Sequence, residues 1–268
     1  MRVTFLGTGT SGGVPSLGCD CGVCRSKDPR DKRYRSVALI ETEQTRILID
    51  CGPDIREQLM PLPFEPIDAV FLTHIHYDHV AGIDDLRPFC IFGPIKIYAN
   101  KSTVDGLHRT MPYCFGKHLY PGVPLLQLHS LSLHRKKIVG DLCITPIEVM
   151  HDKLPILGFV VNQLSGYSKK DSSDSNPQLV YITDMKTIAL EELEYIKGAK
   201  TLIVNGLRFY KTHHSHQTAE EAVEFARKVG SHRSFLIHMS HDIGLHADSF
   251  SRLPEDIRLA YDGLSIEV

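Results

Sequence analysis

The sequence lacks the features that would place a protein in a membrane or on the secretory route. It contains no run of about 18 uninterrupted apolar residues, so no transmembrane helix is expected. Its first residues form a short apolar strand and a glycine loop, without the basic leader or the cleavage site of a signal peptide. These absences predict a soluble, cytoplasmic protein with no membrane partner.

A strong charge of either sign is also lacking. The chain carries 30 basic and 32 acidic residues, which give a formal net charge of −2. No global field therefore attracts long nucleic acid, and nucleic acid is not the expected partner. No internal repeat and no shift in composition divides the chain, and its apolar content of 42% can build a sizeable core. We predict a single domain over residues 1–268.

Cysteine is present, but not in the pattern of a secreted disulfide framework. The seven cysteines are an odd number, and three of them, Cys19, Cys21 and Cys24, share one short segment. In a reducing compartment, such a cluster more often binds a metal ion. The chain also has 15 histidines, more than its length leads one to expect, and this excess requires a functional explanation.

Short apolar runs alternate with helical patterns along the chain, which predicts a layered α/β architecture. The predicted strands are Val3–Leu6, Val37–Glu41, Arg46–Ile49, Ala69–Thr73, Lys96–Ala99, Cys143–Val149, Gly158–Val161, Leu179–Thr183, Thr201–Val204 and Ser234–Ile237. The predicted helices are Asp54–Leu59, Ala81–Leu86, Ser102–Met111, Leu190–Ile196 and Thr218–Val229, the last with a capping-box signature. The polar segment Ser165–Pro177 predicts a long exposed hairpin loop.

Residues of metal-binding type follow several of the predicted strands. They are His74, His151, Asp184, His238 and Asp50. In α/β folds, ligands bind at the carboxyl ends of the strands, where a packed core holds the side chains rigidly. We therefore expect these residues to share one site. The alternative for Asp50 is to cap the helix that begins after Pro53.

The segment His74-Ile-His76-Tyr-Asp78-His79 places four potential ligands within one short loop. In an extended loop, His74 and His76 face the same side, while Asp78 and His79 can turn toward a second position, so two adjacent metal sites are predicted. Imidazole and carboxylate ligands suit zinc, manganese or Fe(II). Two such ions can generate a bridging hydroxide at neutral pH, which is hydrolytic chemistry.

This segment resembles the His-x-His-x-Asp-His signature of the metallo-β-lactamase superfamily, and the resemblance covers essentially the whole chain. It implies the four-layer αβ/βα sandwich of that family. It also implies that His74, His76 and His151 hold one metal ion and that Asp78, His79 and His238 hold the other. Asp184 would bridge the two ions. Asp50 would orient the ligands and, with Asp78, belong to the catalytic set.

The cysteine segment narrows the resemblance further. Cys19, Cys21 and Cys24 have the spacing of a structural zinc site, and His241, three residues after His238, is the best candidate for the fourth ligand. The alternative is three reduced cysteines in a tight loop. Together with the glycine-rich segment Gly7–Pro15, this pattern resembles the PhnP-type phosphodiesterases, which pair a cysteine-rich structural zinc with a dinuclear site. The ending Ala260-Tyr-Asp-Gly-Leu-Ser-Ile resembles the C-terminal strand of that branch.

The resemblance also implies a proton donor and a substrate class. The segment from Leu207 to His216 is similar to the one in which the branch carries its general acid, and the matching position is His216, with His213 and His214 as possible contributors. The implied reaction is hydrolysis of a small phosphodiester, such as a cyclic ribose or nucleotide phosphate. Phosphodiesterases of this superfamily often form homodimers, and none of the residues tests that expectation.

Two further segments have open roles. The loop Gly7–Gly13 offers backbone amides that can cradle a phosphate. The basic segment 25–36 can contact a phosphate or an RNA backbone, and the alternative is a solvated loop.

Other reactions fit the same core motif. They are tRNA 3′-end cleavage, thioester or lactone hydrolysis, and a zinc-stabilised binding module without catalysis. The chain shows no Gly- and Lys-rich arm of the kind that grips tRNA, and the cysteine segment is not expected in the thioester and lactone hydrolases.

Overall fold

Two β-sheets of seven strands each form the centre of the molecule. The computed structural model describes residues 1–116, 122–164 and 176–268. The first sheet contains, in spatial order, β14 (Ser265–Glu267), β1 (Arg2–Gly7), β2 (Val37–Glu41), β3 (Arg46–Ile49), β4 (Ala69–Phe71), β5 (Ile95–Ala99) and β6 (Leu126–Ser130). The second contains β13 (Ile257–Leu259), β12 (Arg233–Ile237), β11 (Thr201–Asn205), β10 (Leu179–Tyr181), β9 (Leu154–Gln163), β8 (Leu142–His151) and β7 (Lys137–Val139).

Short helices cover the outer faces of the sheets. The α-helices are α1 (Ile55–Leu59), α2 (Tyr77–Val80), α3 (Lys101–Thr110), α4 (Pro112–Phe115), α5 (Leu190–Glu194) and α6 (Ala219–Val229). The 3-10 helices are Pro29–Asp31, Ile83–Phe92, His241–Ile243 and His246–Ser251. In the described part of the chain, no helix is long and apolar enough to cross a membrane.

Three apolar clusters join these elements into layers. One cluster lies between the sheets and includes Phe5 and Phe71 from the first and Phe159 from the second. A second cluster packs the first sheet against α1 and α3, and a third packs the second sheet against α5 and α6. Since the central part of each sheet is buried on both faces, its central strands are nearly continuous apolar runs. The predicted four-layer αβ/βα sandwich is confirmed.

Most predicted elements are present, with small differences at their ends. Every predicted strand occurs, whereas β6, β7 and β13 were missed. The helix predicted at Ala81–Leu86 is wrong in type, because the chain forms a 3-10 helix over Ile83–Phe92. Pro88 lies inside it, lacks an amide hydrogen and clashes with an α-helical carbonyl four residues earlier. All but the last two residues of the predicted loop Ser165–Pro177 lie outside the described residues.

The strand directions bring the predicted site residues to one edge. Strands β3 to β6 run parallel to one another, as do β10 to β13. Asp50 follows β3, and His74 lies shortly beyond β4, in the first sheet. In the second sheet, Asp184 lies shortly beyond β10 and His238 follows β12. The carboxyl ends of strands from both sheets therefore supply one site.

Candidate metal centre

Seven of the predicted ligands lie together at this edge, and we call them the candidate metal centre. They are His74, His76, Asp78, His79, His151, Asp184 and His238. Three of the strand-end residues at the site, Asp50, Asp184 and His238, have left-handed φ values of 65°, 55° and 56°. Residues other than glycine rarely adopt this backbone, and it is concentrated at functional sites.

His74, His76 and His151 form the first cluster. Their ligand atoms lie within 4.8 Å of one another, and His74 Nε2 is 3.0 Å from His76 Nδ1. Burial, together with the neighbouring His79, holds the pKa of His74 well below its ordinary value, which favours the neutral ring that binds metal. The carbonyl of Ser215 lies 2.9 Å from His151 Nδ1 and accepts its proton, so Nε2 of that ring is left with its lone pair.

Asp78, His79, Asp184 and His238 form the second cluster, and all four side chains are buried. His79 Nε2 lies 3.2 Å from Asp78 Oδ2 and 3.4 Å from Asp184 Oδ1. Burial opposes the charged ring, but Asp184, Asp50 and Asp78 outweigh it and raise the pKa of His79 well above its ordinary value. The cluster therefore concentrates negative charge, which favours a bound cation.

Asp184 lies between the two clusters. Its Oδ1 is 3.0 Å from His238 Nδ1, in the second cluster. Its Oδ2 is 3.9 Å from His74 Nε2, in the first. Although burial raises the pKa of a carboxyl group, His238 and His79 hold that of Asp184 well below its usual range. One ionised carboxylate therefore faces both clusters.

Asp50 orients His79 rather than capping a helix. Its Oδ2 accepts the proton of His79 Nδ1 at 2.7 Å, and its Oδ1 accepts from the amide of Thr73 at 2.8 Å. The Thr73 hydroxyl donates to the same carboxylate. In the described residues, no side-chain hydrogen bond caps α1, whose N-cap position is Asp54. The arrangement fixes the tautomer of His79 and leaves Nε2 to face the cluster. Thr73 is a site residue that the sequence analysis missed.

The loop after β3 packs tightly against the histidine motif. The amide of Cys51 donates to the carbonyl of His79 at 2.8 Å, and the amide of Gly82 donates to that of Cys51 at 2.9 Å. A Cβ atom on Gly52 would lie 2.2 Å from the carbonyl oxygen of Asp78. Only glycine fits at this contact, which holds α2 and its two ligands against the first sheet.

The donor set fits divalent metal ions. All the ligand atoms are nitrogen or oxygen, which suits zinc, manganese or Fe(II) and excludes a soft-metal site. Among the described residues, the buried Nε2 atom of His238 has no hydrogen-bond partner, and that of His79 makes no well-oriented hydrogen bond although it lies near the carboxylates of Asp78 and Asp184. Both atoms belong to the second cluster; buried polar atoms without a partner are costly, and a metal ion in that cluster would satisfy them. The fold and the clusters together support a metal-dependent hydrolase.

His216 lies at the rim of this centre. Its Nε2 is 3.2 Å from Asp184 Oδ2, and its side chain keeps 12% of its surface exposed. On its other side, His216 Nδ1 lies 3.1 Å from Ser215 Oγ and 3.1 Å from His213 Nδ1. His214 contacts only the ring of His213 in this group. His216 is also near His151 and Asp184, so it can serve either as a proton donor or as a further ligand.

The predicted cysteine cluster is also assembled, and it consists of Cys19, Cys21, Cys24 and His241. The three Sγ atoms lie 3.1, 3.4 and 3.5 Å from His241 Nδ1. The amide of Cys24 donates to Cys21 Sγ and, as the largest influence, lowers the pKa of Cys21 to about 6. Burial raises the pKa of Cys24 to about 11, so a bound cation would be needed to make all three sulfurs thiolates, the ligands of a closed tetrahedral zinc site.

The structure shows which contacts engage the glycine loop and the arginines of the basic segment. The amides of Gly9, Thr10 and Gly13 donate to backbone carbonyls, so they are not free to cradle a phosphate. Instead, the loop pairs with Met239, directly after His238. The arginines of segment 25–36 are buried or ion-paired: Arg25 with Asp20, Arg30 with Asp28, Arg35 with Asp54, and Arg33 inside the fold. Lys27 and Lys32 of the same segment are exposed.

Comparisons with known proteins agree with this geometry. Residues 45–239 match the family model described as a beta-lactamase superfamily domain. Over 265 residues, the chain is 43% identical to a protein of Porphyromonas gingivalis named octanoyltransferase, covering 98% of this chain and 51% of that protein. The chain therefore spans about half the length of this relative.

Two solved structures share the fold over the whole chain. The crystal structure of a diphosphatase from the PhnP family superposes with a TM-score of 0.86 at 31% identity, covering 100% of this chain and 97% of that one. The zinc-bound PqqB of Methylobacterium extorquens gives a TM-score of 0.79 at 20% identity, with both chains fully covered. With PhnP-like relatives and a family model over most of its length, the chain belongs to the metallo-β-lactamase superfamily.

Proposed function

We propose that this protein hydrolyses small phosphodiesters, with a pair of divalent metal ions held at the candidate metal centre. The observation that carries the proposal is the position of Asp184, whose two oxygens face the two clusters, with His216 against Oδ2. A carboxylate shared between two ligand sets is the arrangement that two-metal hydrolysis uses.

Each cluster would hold one ion, zinc or manganese by its donor atoms. His74, His76 and His151 supply three imidazoles to one position, and Asp78, His79 and His238 supply the other. When bound, the two ions would activate a water molecule at neutral pH and offset the charge on the phosphoryl oxygens. Asp50 and the Ser215 carbonyl keep His79 and His151 in the tautomers that such binding requires.

His216 would protonate the leaving oxygen. An alkoxide leaves poorly, so hydrolysis of a diester benefits from a proton donor beside the bond that breaks. The Nε2 atom of His216 is at the rim, within 3.2 Å of Asp184 Oδ2, and the Nδ1 atom is held by Ser215 and His213. The ring is thus fixed with one nitrogen toward the centre, where a substrate oxygen would lie.

A direct test uses the purified protein loaded in turn with manganese and zinc. Bis(p-nitrophenyl) phosphate serves as a first substrate, followed by cyclic nucleotides, cyclic ribose phosphates and diphosphate diesters. We expect turnover that His76→Ala abolishes, since this change removes one ligand. A metal-loaded protein without turnover on any of these substrates would contradict the proposal and would favour a non-catalytic binding module.

The role of His216 can be separated from that of a ligand. We expect His216→Ala to lower kcat by about 10²- to 10⁴-fold, the usual range for a general acid, with the metal content unchanged. Metal analysis alongside kinetics is the measurement. A loss of bound metal in this variant would instead make His216 a ligand.

The name of the Porphyromonas gingivalis relative, octanoyltransferase, favours a second candidate with an acyl substrate, and we take hydrolysis of an acyl thioester as its form. The chain matches about half of that protein. Whether this candidate applies depends on which half of the relative carries out its acyl chemistry. A thiolate leaves without a proton donor, since its pKa is near 8.5. On an octanoyl thioester, His216→Ala should therefore have little effect, whereas on a diester it should be severe. Comparing both substrates in one variant distinguishes the two functions.

A further inference from the structure

A cavity of about 520 Å³ opens where the edges of the two sheets part, beside β13 and β14, and we call it the edge cavity. It is lined by β12, by β13, by the start of β14 and by the 3-10 helix His246–Ser251, and by none of the metal-centre residues. Arg233 opens β12 and His238 follows it, so with a rise of about 3.3 Å per residue the two lie about 16 Å apart. The edge cavity and the metal centre are therefore at opposite ends of β12.

The floor of the edge cavity is apolar. Phe235 belongs to the cluster between the sheets, and Leu264 and Ile266 pack against that cluster from the first sheet. The cavity is therefore the open end of the inter-sheet core. A ligand that entered it would bury apolar surface against these three side chains.

Two arginines lie on the same inner face. Arg258 of β13 is paired in register with Phe235 of β12, and Arg233 lies two positions before Phe235 on that strand. Both arginines line the cavity. Arg233 donates to the Thr201 hydroxyl and to the Glu267 carbonyl, but it has no acidic partner among the described residues. Arg258 makes no hydrogen bond or ion pair within the same residues.

The other charged groups of the lining compensate only part of this positive charge. Arg30 is paired with Asp28, and Asp256 with Arg227. Glu255 is the remaining acidic residue of the lining, so one negative charge stands against the two positive charges of Arg233 and Arg258.

His246 adds a polar group to the wall of the edge cavity. It is 3% exposed, and its Nδ1 has no partner in the described structure. Burial and the nearby Arg33 lower the pKa of His246 to about 4, so the ring is neutral at pH 7 and can donate or accept one hydrogen bond. The lining thus offers two arginine cations and a neutral hydrogen-bonding ring above an apolar floor.

We propose that the edge cavity binds a small organic anion with an apolar body, of the class of medium-chain carboxylates. The apolar body would cover Phe235, Leu264 and Ile266, and the carboxylate would accept hydrogen bonds from Arg233 and Arg258. A neutral alcohol of the same length would leave the arginines unpaired, whereas inorganic phosphate would leave the floor exposed to water. The volume lies within the range of about 300–1,000 Å³ that small-molecule sites occupy.

Isothermal titration of the metal-loaded protein with octanoate tests this proposal. We expect saturable binding that Arg258→Ala weakens by about tenfold or more, since a hydrogen bond to a charged group is lost. Arg258→Lys should restore part of the affinity because it keeps the charge. Octanol and inorganic phosphate should each bind at least tenfold more weakly than octanoate. Arg109→Ala, which removes an exposed arginine of α3 that lines neither cavity, is the matched control and should bind as the wild type does.

Several results would overturn the proposal. They are the absence of saturable binding, equal affinity for octanol, and unchanged affinity in Arg258→Ala. Weaker binding in Phe64→Ala would move the ligand to the separate groove beside Met60 and Phe64. Loss of diester hydrolysis at saturating octanoate would move it to the metal centre, whereas unchanged turnover supports a separate site.

Discussion

At the residue scale, the candidate site is distinguished by its backbone as much as by its side chains. The sequence pattern identified Asp50, Asp184 and His238 as strand-end residues, but not their left-handed backbone. Such a conformation costs on the order of 1–3 kcal/mol per residue, and only surrounding tertiary contacts can hold it. The contact between Asp50 and Thr73 is one of these, and nothing local in the sequence indicates it.

Asp50 should control metal affinity through His79. In Asp50→Asn, the side-chain amide cannot accept from both Thr73 and His79, so the imidazole loses the partner that fixes its tautomer. We expect the affinity for zinc to fall by about 10- to 100-fold, the usual effect of losing such a partner. Competition titration with a chelator measures it. Asp105→Asn, an exposed change on α3, is the control, and equal affinity in both variants would contradict this role.

His246 should make stability depend on pH. Its pKa is about 4 in the folded protein, because the ring is buried and lies near Arg33, against an ordinary value of 6.5. The neutral ring is favoured in the fold, so its contribution is present above pH 6.5 and is lost as the pH falls toward 4. His246→Phe keeps an aromatic ring against Phe250 and Tyr261 but does not titrate.

Comparing the wild type with His246→Phe isolates the contribution of His246 to the pH dependence, since all other groups titrate in both proteins. Between pH 7 and pH 5, we expect the wild type to lose on the order of 1–2 kcal/mol more unfolding free energy than His246→Phe. Urea denaturation at several pH values is the measurement. Parallel pH profiles for the two proteins would contradict this, because they would show that the ring binds its proton equally well in the folded and unfolded states.

At the element scale, apolar runs in the sequence were sufficient to predict the buried strands but not the strands at or near the sheet edges. Strands such as β3 and β11 are buried at every position, so their composition alone predicts them. Strands β6 and β7 alternate between exposed and half-buried residues and depend on pairing with a neighbour. β13 has three residues, too few for a pattern. Tertiary pairing, which local sequence does not encode, determines these elements.

The capping box of α6 was predicted and is present. Thr218 Oγ1 accepts from the Glu221 amide, the Glu221 carboxylate accepts from the Thr218 amide, and Lys186 pairs with Glu221. We expect Thr218→Ala to lower the unfolding free energy by about 1 kcal/mol, while Thr218→Ser retains most of it. Because the cap lies two residues after His216, diester hydrolysis should fall as well. Urea denaturation and kinetics measure both effects, and equal stability in the two variants would contradict the cap.

At the scale of the whole molecule, the sequence predicted the ligand types but not how distant segments meet. Cys19 and His241 are separated by 222 positions and Cys24 and His241 by 217, yet their ligand atoms are in contact. The glycine loop makes the same connection through backbone bonds, with Thr8 and Thr10 on either side of Met239. The order of strands within the two sheets brings these distant segments into contact. The spacing of residues within a motif does not determine that order.

Removal of one thiolate should show whether the cysteine cluster ties the two halves of the fold through zinc. His238 and His241 share one short segment, so a zinc ion on His241 would also hold a ligand of the metal centre in place. In Cys24→Ser, we expect one fewer zinc ion per chain, a fall in Tm on the order of 10 °C, and weaker metal binding at the centre. Metal analysis measures the zinc content and thermal unfolding measures Tm. The control is Cys90→Ser, because Cys90 belongs neither to the cysteine cluster nor to the metal centre. Because three reduced cysteines without zinc would give the same metal content in both variants, that result would assign the contact between Cys24 and His241 to packing alone.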